Sequence, residues 1–317
     1  MYELIRSRVL GFIRIMRPAT GLSTLLTSIS ASLMLGDPFR YIDPLKLSLL
    51  YIGVFLAHMS VNIFNDYFDY RSGIDLYTPR TSFSGGSKSL VDGLLSVSEA
   101  LCLGIAILLV SALIGIYLAL TRGFLVILFI LFGGIIIIGY TILFARKGLG
   151  ELSVYIKGVF VALGSYYVVY QRLDPEAIII GSLYGLASVT ALFVNSIPDR
   201  DIDKLFGRRN LVILVNERDL WRIYLILAAS IILHVFLISL RIQLSLSAEL
   251  FYSVACISAI LLMILVSSRL REIMSLERSY GERLRELVKI ASVNIFSLRL
   301  IEFSTAYVLW MRSIKII

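Results

Sequence analysis

ALCLGIAILLVSALIGIYLALT, residues 100–121, contains no Asp, Glu, Lys or Arg. About 20 apolar residues in a helix are enough to cross the hydrocarbon core of a bilayer. Arg122 alone separates this run from GFLVILFILFGGIIIIGYTILFA, residues 123–145, which is also free of charge. Two such runs in tandem read as adjacent transmembrane helices. The pattern recurs at Pro18–Gly36, Leu47–Asn65, Ala177–Pro198, Ile223–Leu240 and Leu250–Ser268. Leu152–Gln171 carries a single charge, Lys157, and Ile290–Met311 is interrupted by Arg299 and Glu302. An all-α, multi-pass membrane protein with nine transmembrane helices around a central cavity is therefore expected.

The composition agrees. Of 317 residues, 58% are hydrophobic and 16% charged, and mean hydropathy is +0.87. Soluble domains are about 45–50% apolar and about 25% charged. Disorder, a coiled coil, a nucleic-acid-binding module and a soluble enzyme are all excluded on this ground. A membrane β-barrel would alternate apolar and polar residues in segments of about 10. The two cysteines, Cys102 and Cys256, fall inside apolar runs and show neither disulfide nor metal spacing. The N-terminal arm has Arg6, Arg8, Arg14 and Arg17 but no small-residue cleavage site, so it is not read as a removed signal peptide.

The net charge of +8 reads as an orientation signal. With the N-terminus cytoplasmic, 21 Lys and Arg fall on that side. Only Arg40, Lys46, Arg122, Arg172, Arg241, Arg312 and Lys315 fall on the other. For nine spans this puts the C-terminus outside. The longest connections, 66–99 and 199–222, are then cytoplasmic caps on one domain spanning 1–317, with its active site facing the cytoplasm of a cell-membrane protein.

Both caps begin with carboxylates. The first cluster is Asn62-x-x-Asn65-Asp66-Tyr67-Phe68-Asp69-Tyr70-Arg71-x-Gly73-x-Asp75; the second is Asn195-x-x-Pro198-Asp199-Arg200-Asp201-x-Asp203. Residues three or four apart share a helix face, so Asn62, Asp66 and Asp69 form one stripe and Asn195, Asp199 and Asp203 another. Like charges at that spacing repel. Carboxylates at helix C-termini oppose the macrodipole, and ionised groups near a bilayer are costly. Two such clusters on one side call for a cation. Mg²⁺ fits, because it takes oxygen ligands and shares them with substrate phosphates. The loop Arg80-Thr-Ser-Phe-Ser-Gly85-Gly86-Ser87-Lys88 offers backbone amides for phosphate oxygens. Lys204, Arg208 and Arg209 follow the second cluster as a basic group suited to diphosphate.

Two Asp-rich motifs on the second and sixth of nine predicted helices resemble the UbiA superfamily of intramembrane prenyltransferases. Asn65-Asp66-Tyr67-Phe68-Asp69-Tyr70-Arg71-Ser72-Gly73-Ile74-Asp75 is similar to the first motif of the menaquinone-branch members. The stretch from Asp199 through Asp203 to Gly207-Arg208-Arg209-Asn210-Leu211 is similar to their second. Tyr140, Gly148-Leu149-Gly150-Glu151 and the opening Arg17-Pro18 also fit the branch. An Arg-Pro-x-x-Ser-Gly run found after the first motif elsewhere in the superfamily is absent, and Asn210 stands where Thr is usual.

The resemblance implies transfer of a polyprenyl group from polyprenyl diphosphate to an aromatic acceptor such as 1,4-dihydroxy-2-naphthoate. Asp66, Asp69, Asp199 and Asp203 would hold Mg²⁺. Asn62, Asn65, Asn195, Arg80, Lys88, Lys204 and Arg208 would bind substrate, and Tyr140 would face the allylic cation. Two alternatives carry over. One is the same chemistry on a glycerol-phosphate acceptor, geranylgeranylglyceryl phosphate. The other is a cation-coupled transporter, because intramembrane Asp and Asn also mark ion paths. Lys157 is expected either to pair with Glu151 or to face the cavity. Arg299 and Glu302 are expected to pair with each other, and His58 to pack with one hydrogen bond.

Overall fold

The structure is a computed structural model that describes residues 2–241, 245–276 and 279–314. Lys315, and Arg278 of the basic tally, lie outside them. An amphipathic α1 (Tyr2–Met16) precedes α2 (Pro18–Ser32), α3 (Pro44–Ser72) and the short α4 (Ile74–Tyr77). After a long loop come α5 (Val97–Arg122), α6 (Leu125–Gly139), a π-helical turn at Tyr140–Phe144 and α7 (Ala145–Lys147). Next are α8 (Gly150–Tyr170), α9 (Pro175–Ser196), α10 (Arg200–Leu205) and α11 (Leu211–Leu214). The chain ends on α12 (Leu220–Arg241), α13 (Leu246–Ser275) and α14 (Tyr280–Ile314). No strand occurs among the described residues.

Each of the nine predicted windows overlaps helix, at α2, α3, α5, the α6–α7 stretch, α8, α9, α12, α13 and α14, although Pro18–Gly36 runs past the end of α2 at Ser32. Six helices combine the length and apolarity needed to cross a membrane: α3, α5, α8, α9, α12 with the turn before it, and α13. The other three fall short of the expected nine for separate reasons. Helix α6 is apolar but ends at Gly139, where the π turn begins. Helix α2 is 15 residues long and rich in hydroxyls, and α14 carries many charges along its 35 residues.

Pro18 and Pro44 stand at first helical positions, where a missing N–H costs nothing. Ser96 and Glu99 form a capping box on α5. The outward faces are apolar, with Leu113, Leu120 and Phe124 among the most exposed side chains. Against lipid that exposure carries no penalty, so packing and hydrogen bonds must hold the bundle together.

Helix α2 is its polar hub. Ser28 meets Ser165 of α8 at 2.7 Å, Ser30 meets Tyr184 of α9 at 2.6 Å, and Ser32 meets Tyr51 of α3 at 2.5 Å. Ser23 donates to Glu302 of α14. Helices α8 and α9 meet through glycines. A Cβ on Gly158 would lie 2.5 Å from the Gly185 Cα, and one on Gly181 would lie 2.6 Å from the Val159 Cα. Helices α2, α3, α6, α8, α9 and α14 enclose a cavity of about 240 Å³.

Candidate active site

Helix α3 does not stop where its apolar window ends at Asn65. It runs on to Ser72 and closes on Gly73, whose φ of 83° is a left-handed cap that glycine adopts freely. Asp66 and Asp69 therefore stand on continuous helix, one turn apart. The second stripe behaves differently. Helix α9 ends at Ser196, just before Pro198, and a tight turn leads into α10. Proline lacks the N–H needed to continue the helix. Asp199 and Asp203 remain one turn apart, because the Asp203 amide donates to the Asp199 carbonyl at 2.8 Å. Asn195 stays behind on α9.

Asp66 is buried, and both its oxygens have partners. Arg17 donates to Oδ1 at 2.8 Å and the Ser87 amide to Oδ2 at 3.1 Å. Arg17 sits at the break between α1 and α2 with φ 46° and ψ 60°, a left-handed conformation rare for a side chain this large. No local spacing marks its pairing with Asp66, since the arginine precedes its partner by 49 residues. Asp69 is held by Arg208, whose other nitrogen reaches Asp203 Oδ1 at 3.2 Å. Asn210 donates to Asp203 Oδ2 at 3.2 Å. One guanidinium thus joins the two acidic motifs. Burial works against its charge, yet Asp69 and Asp203 hold its pKa above the ordinary arginine value.

The glycine loop does not present its amides to open space. Gly85 and Gly86 both have positive φ, which lets the chain fold back on itself. The Ser87 amide meets Asp66, and the Gly85 amide favours the charged form of Asp199. The loop straps one motif to the other. Lys88 is buried and turned to the last aspartate of the first motif, donating to the Asp75 carbonyl and lying 3.8 Å from its carboxylate. Arg80 and Lys204 are exposed, and among the described residues no hydrogen bond or ion pair joins either to the four aspartates.

Burial and the Asp203 charge push Asp199 up to about 7, against the Gly85 amide, Arg208 and Lys88. Asp203 is raised by burial, with Arg208 opposing. Asp75 is raised to about 7 by burial and by repulsion from Asp69 and Asp66.

Among the described residues, no three His, Cys, Asp or Glu side chains converge into a metal-binding group. The reason is visible: Arg17 and Arg208 draw the carboxylates to themselves. Two oxygens do point to a cation. Asn195 Oδ1 and Asp199 Oδ1 are buried without a hydrogen-bond partner. Buried polar atoms are nearly always satisfied, and Mg²⁺ takes amide and carboxylate oxygens of this kind. The donor set fits that ion.

The cavity opens below this rim. Asn62, Asn65, Asn195 and Tyr140 line it together with His58, Lys157, Arg299 and Glu302. Asn62 spends its amide on α1 and α2. Its amide donates to the Met16 carbonyl at 2.7 Å and to Thr20 at 2.8 Å, pinning α3 to the α1–α2 break. His58 makes two contacts, with Thr24 at 2.8 Å and Thr20 at 3.3 Å. Glu151 accepts from the Leu211 amide at 2.7 Å, so Lys157 faces the cavity instead. Arg299 pairs with Glu302 as its spacing predicts.

Comparison with known proteins places these features in a family. Residues 24–292 match the UbiA prenyltransferase family. The 1,4-dihydroxy-2-naphthoate octaprenyltransferase of Escherichia coli strain K12 is 26% identical over 231 residues, 68% of this chain and 72% of that protein. A UbiA homolog from Aeropyrum pernix K1 shares the fold with a TM-score of 0.66 at 17% identity, covering 90% of this chain and 96% of that one. A UbiA homolog from Archaeoglobus fulgidus, solved bound to DMAPP and Mg²⁺, gives 0.55 at 16%, covering 92% and 98%. A digeranylgeranylglyceryl phosphate synthase structure gives 0.59 at 15%, covering 96% and 99%. The chain belongs to the UbiA prenyltransferase family and is a membrane prenyltransferase.

Proposed function

We propose that this protein transfers a polyprenyl group from polyprenyl diphosphate to an aromatic acceptor such as 1,4-dihydroxy-2-naphthoate, with Mg²⁺ as cofactor. One observation carries the reading. Two Asp motifs face each other across the rim of a cavity inside the helix bundle, joined by Arg208, with unpartnered oxygens on Asn195 and Asp199. The naphthoate-using relative supports the choice of acceptor, and the homolog bound to DMAPP and Mg²⁺ supports the donor and the cation. The shared fold with a synthase of a glycerol-phosphate lipid does not choose between acceptors. Family membership sets the transporter reading aside.

Asp69, Asp199 and Asp203, with Asn195 and the already paired Asp66, would hold Mg²⁺. When bound, the ion neutralises charge on the departing diphosphate. Arg208 would then exchange its carboxylate partners for diphosphate oxygens, since a guanidinium pairs with either. The C–O bond at the first prenyl carbon breaks and its electron pair leaves with the diphosphate. The allylic cation is attacked by an electron-rich ring carbon of the acceptor, which then loses its proton. Tyr140 lines the cavity below the rim, where its ring face stabilises the cation by about 2 kcal/mol when desolvated. The apolar helices keep out water that would quench the cation.

Residues 1–317 act as one domain in this reading, with nine spans and cap segments 66–99 and 199–222. The excess of basic residues on the motif side supports a cytoplasmic rim and N-terminus. The test is purified protein in lipid with Mg²⁺, a labelled prenyl diphosphate and an acceptor panel. A prenylated naphthoate is expected. Product from a glycerol phosphate alone would overturn the acceptor assignment.

A further inference from the structure

The segment that carries Arg208 and Asn210 has no helix to hold it. Residues 206–210 lie outside helix, between α10 and α11. Yet both side chains have defined places, since Arg208 joins Asp69 to Asp203 and Asn210 donates to Asp203. Their position comes from the backbone. The Arg208 amide donates to the Asp203 carbonyl at 2.9 Å, and the Arg209 amide to the Ala145 carbonyl at 2.9 Å. The Leu211 amide donates to Glu151 Oε1 at 2.7 Å. Two of these three anchors belong to residues 145–151, outside both Asp motifs.

Glu151 is the one side chain among the anchors. It is buried in the first turn of α8, where the helix dipole favours an anion. Among the described residues no Lys or Arg nitrogen lies within 4.0 Å of its carboxylate. Burying such a group is costly unless it is hydrogen-bonded, and the Leu211 amide supplies the bond. That amide is the first of α11, one of the N–H groups a helix leaves unpaired. Asn210 Oδ1 takes the Ile213 amide at 2.9 Å, so Glu151 and Asn210 share the capping of α11. The Asn210 side-chain nitrogen is left for Asp203. The rest of α11 is fixed separately, by burial of Val212 and by Arg200, which donates to the Val212 carbonyl at 2.9 Å.

We propose that Glu151 is a positioning residue for prenyl transfer, setting the 208–211 segment so that Arg208 and Asn210 meet the second Asp motif and Arg208 meets the diphosphate. This rests on the reading of the chain as a transferase from prenyl diphosphate. Arg208 has to exchange a carboxylate for the diphosphate. A backbone pinned at 208, 209 and 211 lets its side chain turn while the chain stays in place. A misplacement of about 1 Å can cost roughly 100-fold in rate. Glu151 acts through the Leu211 backbone and takes no proton in this account.

Glu151→Leu removes the acceptor at similar bulk, and Glu151→Gln keeps an acceptor oxygen. Two measurements in lipid nanodiscs test the proposal. The first is hydrogen–deuterium exchange without substrate. Exchange across 208–214 should quicken in Glu151→Leu, stay near wild type in Glu151→Gln, and be unmoved along α13 in both. The second is binding of a poorly reactive prenyl thiolodiphosphate with Mg²⁺. Affinity should fall roughly 10- to 100-fold in Glu151→Leu, and Glu151→Gln should recover most of the loss. In an Arg208→Ala background, Glu151→Leu should cost less than about threefold, because both changes remove the same interaction. A fully additive loss there would show a general structural role and overturn the proposal. Unchanged exchange in folded Glu151→Leu, or a Glu151→Gln as defective as Glu151→Leu, would overturn it too. Failure of wild type to bind the thiolodiphosphate or to make any prenylated product would instead sink the transferase reading. The exchange measurement decides the clamp independently of that result.

Discussion

Asp69 and Asp203 come from opposite halves of the chain, yet the same guanidinium, that of Arg208, holds both. Helices α3 and α10 are thereby tied at the mouth of the cavity. The contact explains how two clusters of like charge coexist there. It also places a cation where, in the proposed reaction, the substrate's diphosphate would arrive.

Replacing that guanidinium should be felt by the donor substrate first. Charge-assisted hydrogen bonds contribute about 1.5–3 kcal/mol each. Arg208→Ala is expected to lower kcat/KM for prenyl diphosphate by roughly 100-fold, since 1.4 kcal/mol is a factor of ten. Arg208→Lys, which keeps charge but loses the fork, should fall between. Steady-state kinetics at saturating acceptor would show it, and unchanged kinetics in Arg208→Ala would remove Arg208 from the site.

Arg17 is the counterion of the buried Asp66. Breaking a buried pair by removing one partner costs about 3–5 kcal/mol, because the other charge is left uncompensated. Arg17→Met should therefore lower the thermal midpoint sharply. Adding Asp66→Asn to the same chain should recover part of the loss. A midpoint unmoved by Arg17→Met would show that the pair is not holding α1 and α2 to α3.

Asp75 makes stability depend on pH. Its carboxyl is raised to about 7, first by burial and then by Asp69 and Asp66. The unfolded value is about 3.9. A raised carboxyl pKa means that the folded state binds the proton more tightly. The stabilisation is fully present below about pH 4 and is lost as pH rises through about 7. Between about pH 5 and pH 7.5 the thermal midpoint of wild type should fall more steeply than that of Asp75→Asn. Parallel curves would contradict the burial of an ionisable Asp75.

Close packing of α8 on α9 depends on glycine. A side chain on Gly158 would run into the backbone at Gly185, where nothing flexible can move aside. Gly158→Val should destabilise the protein by at least the 1–3 kcal/mol typical of overpacking. Thermal unfolding in detergent would report it, and a neutral outcome would mean that the two helices can separate.

Much of this was legible in the sequence, and the boundary is physical. Apolar windows located the helices, six of which are long and apolar enough to cross a membrane, because lipid demands such runs. Spacings of three and four placed Asp66 with Asp69 and Arg299 with Glu302, because one helix fixes those neighbours. Contacts between helices left no such trace. Nothing local to Arg17 points to Asp66, and nothing in Gly85–Ser87 shows that its amides meet aspartates rather than phosphate. The family resemblance implies Lys88 as a diphosphate ligand, and nothing local shows that its left-handed backbone turns it to Asp75. Gly181 and Gly185 do form a small-x-x-x-small pair in the sequence, a signal that would have found the α8–α9 seam.

The most direct measurement is product formation as a function of Mg²⁺ in wild type, Asp69→Ala and Asp199→Ala, each in lipid with prenyl diphosphate and naphthoate. Wild type should make no product without a divalent ion and should saturate as Mg²⁺ is added. Each variant should lose at least 100-fold in kcat/KM, or need far more Mg²⁺. Full activity in Asp199→Ala, or product formed by wild type in the presence of a chelator, would contradict the assignment of this rim as a Mg²⁺-dependent prenyl transfer site.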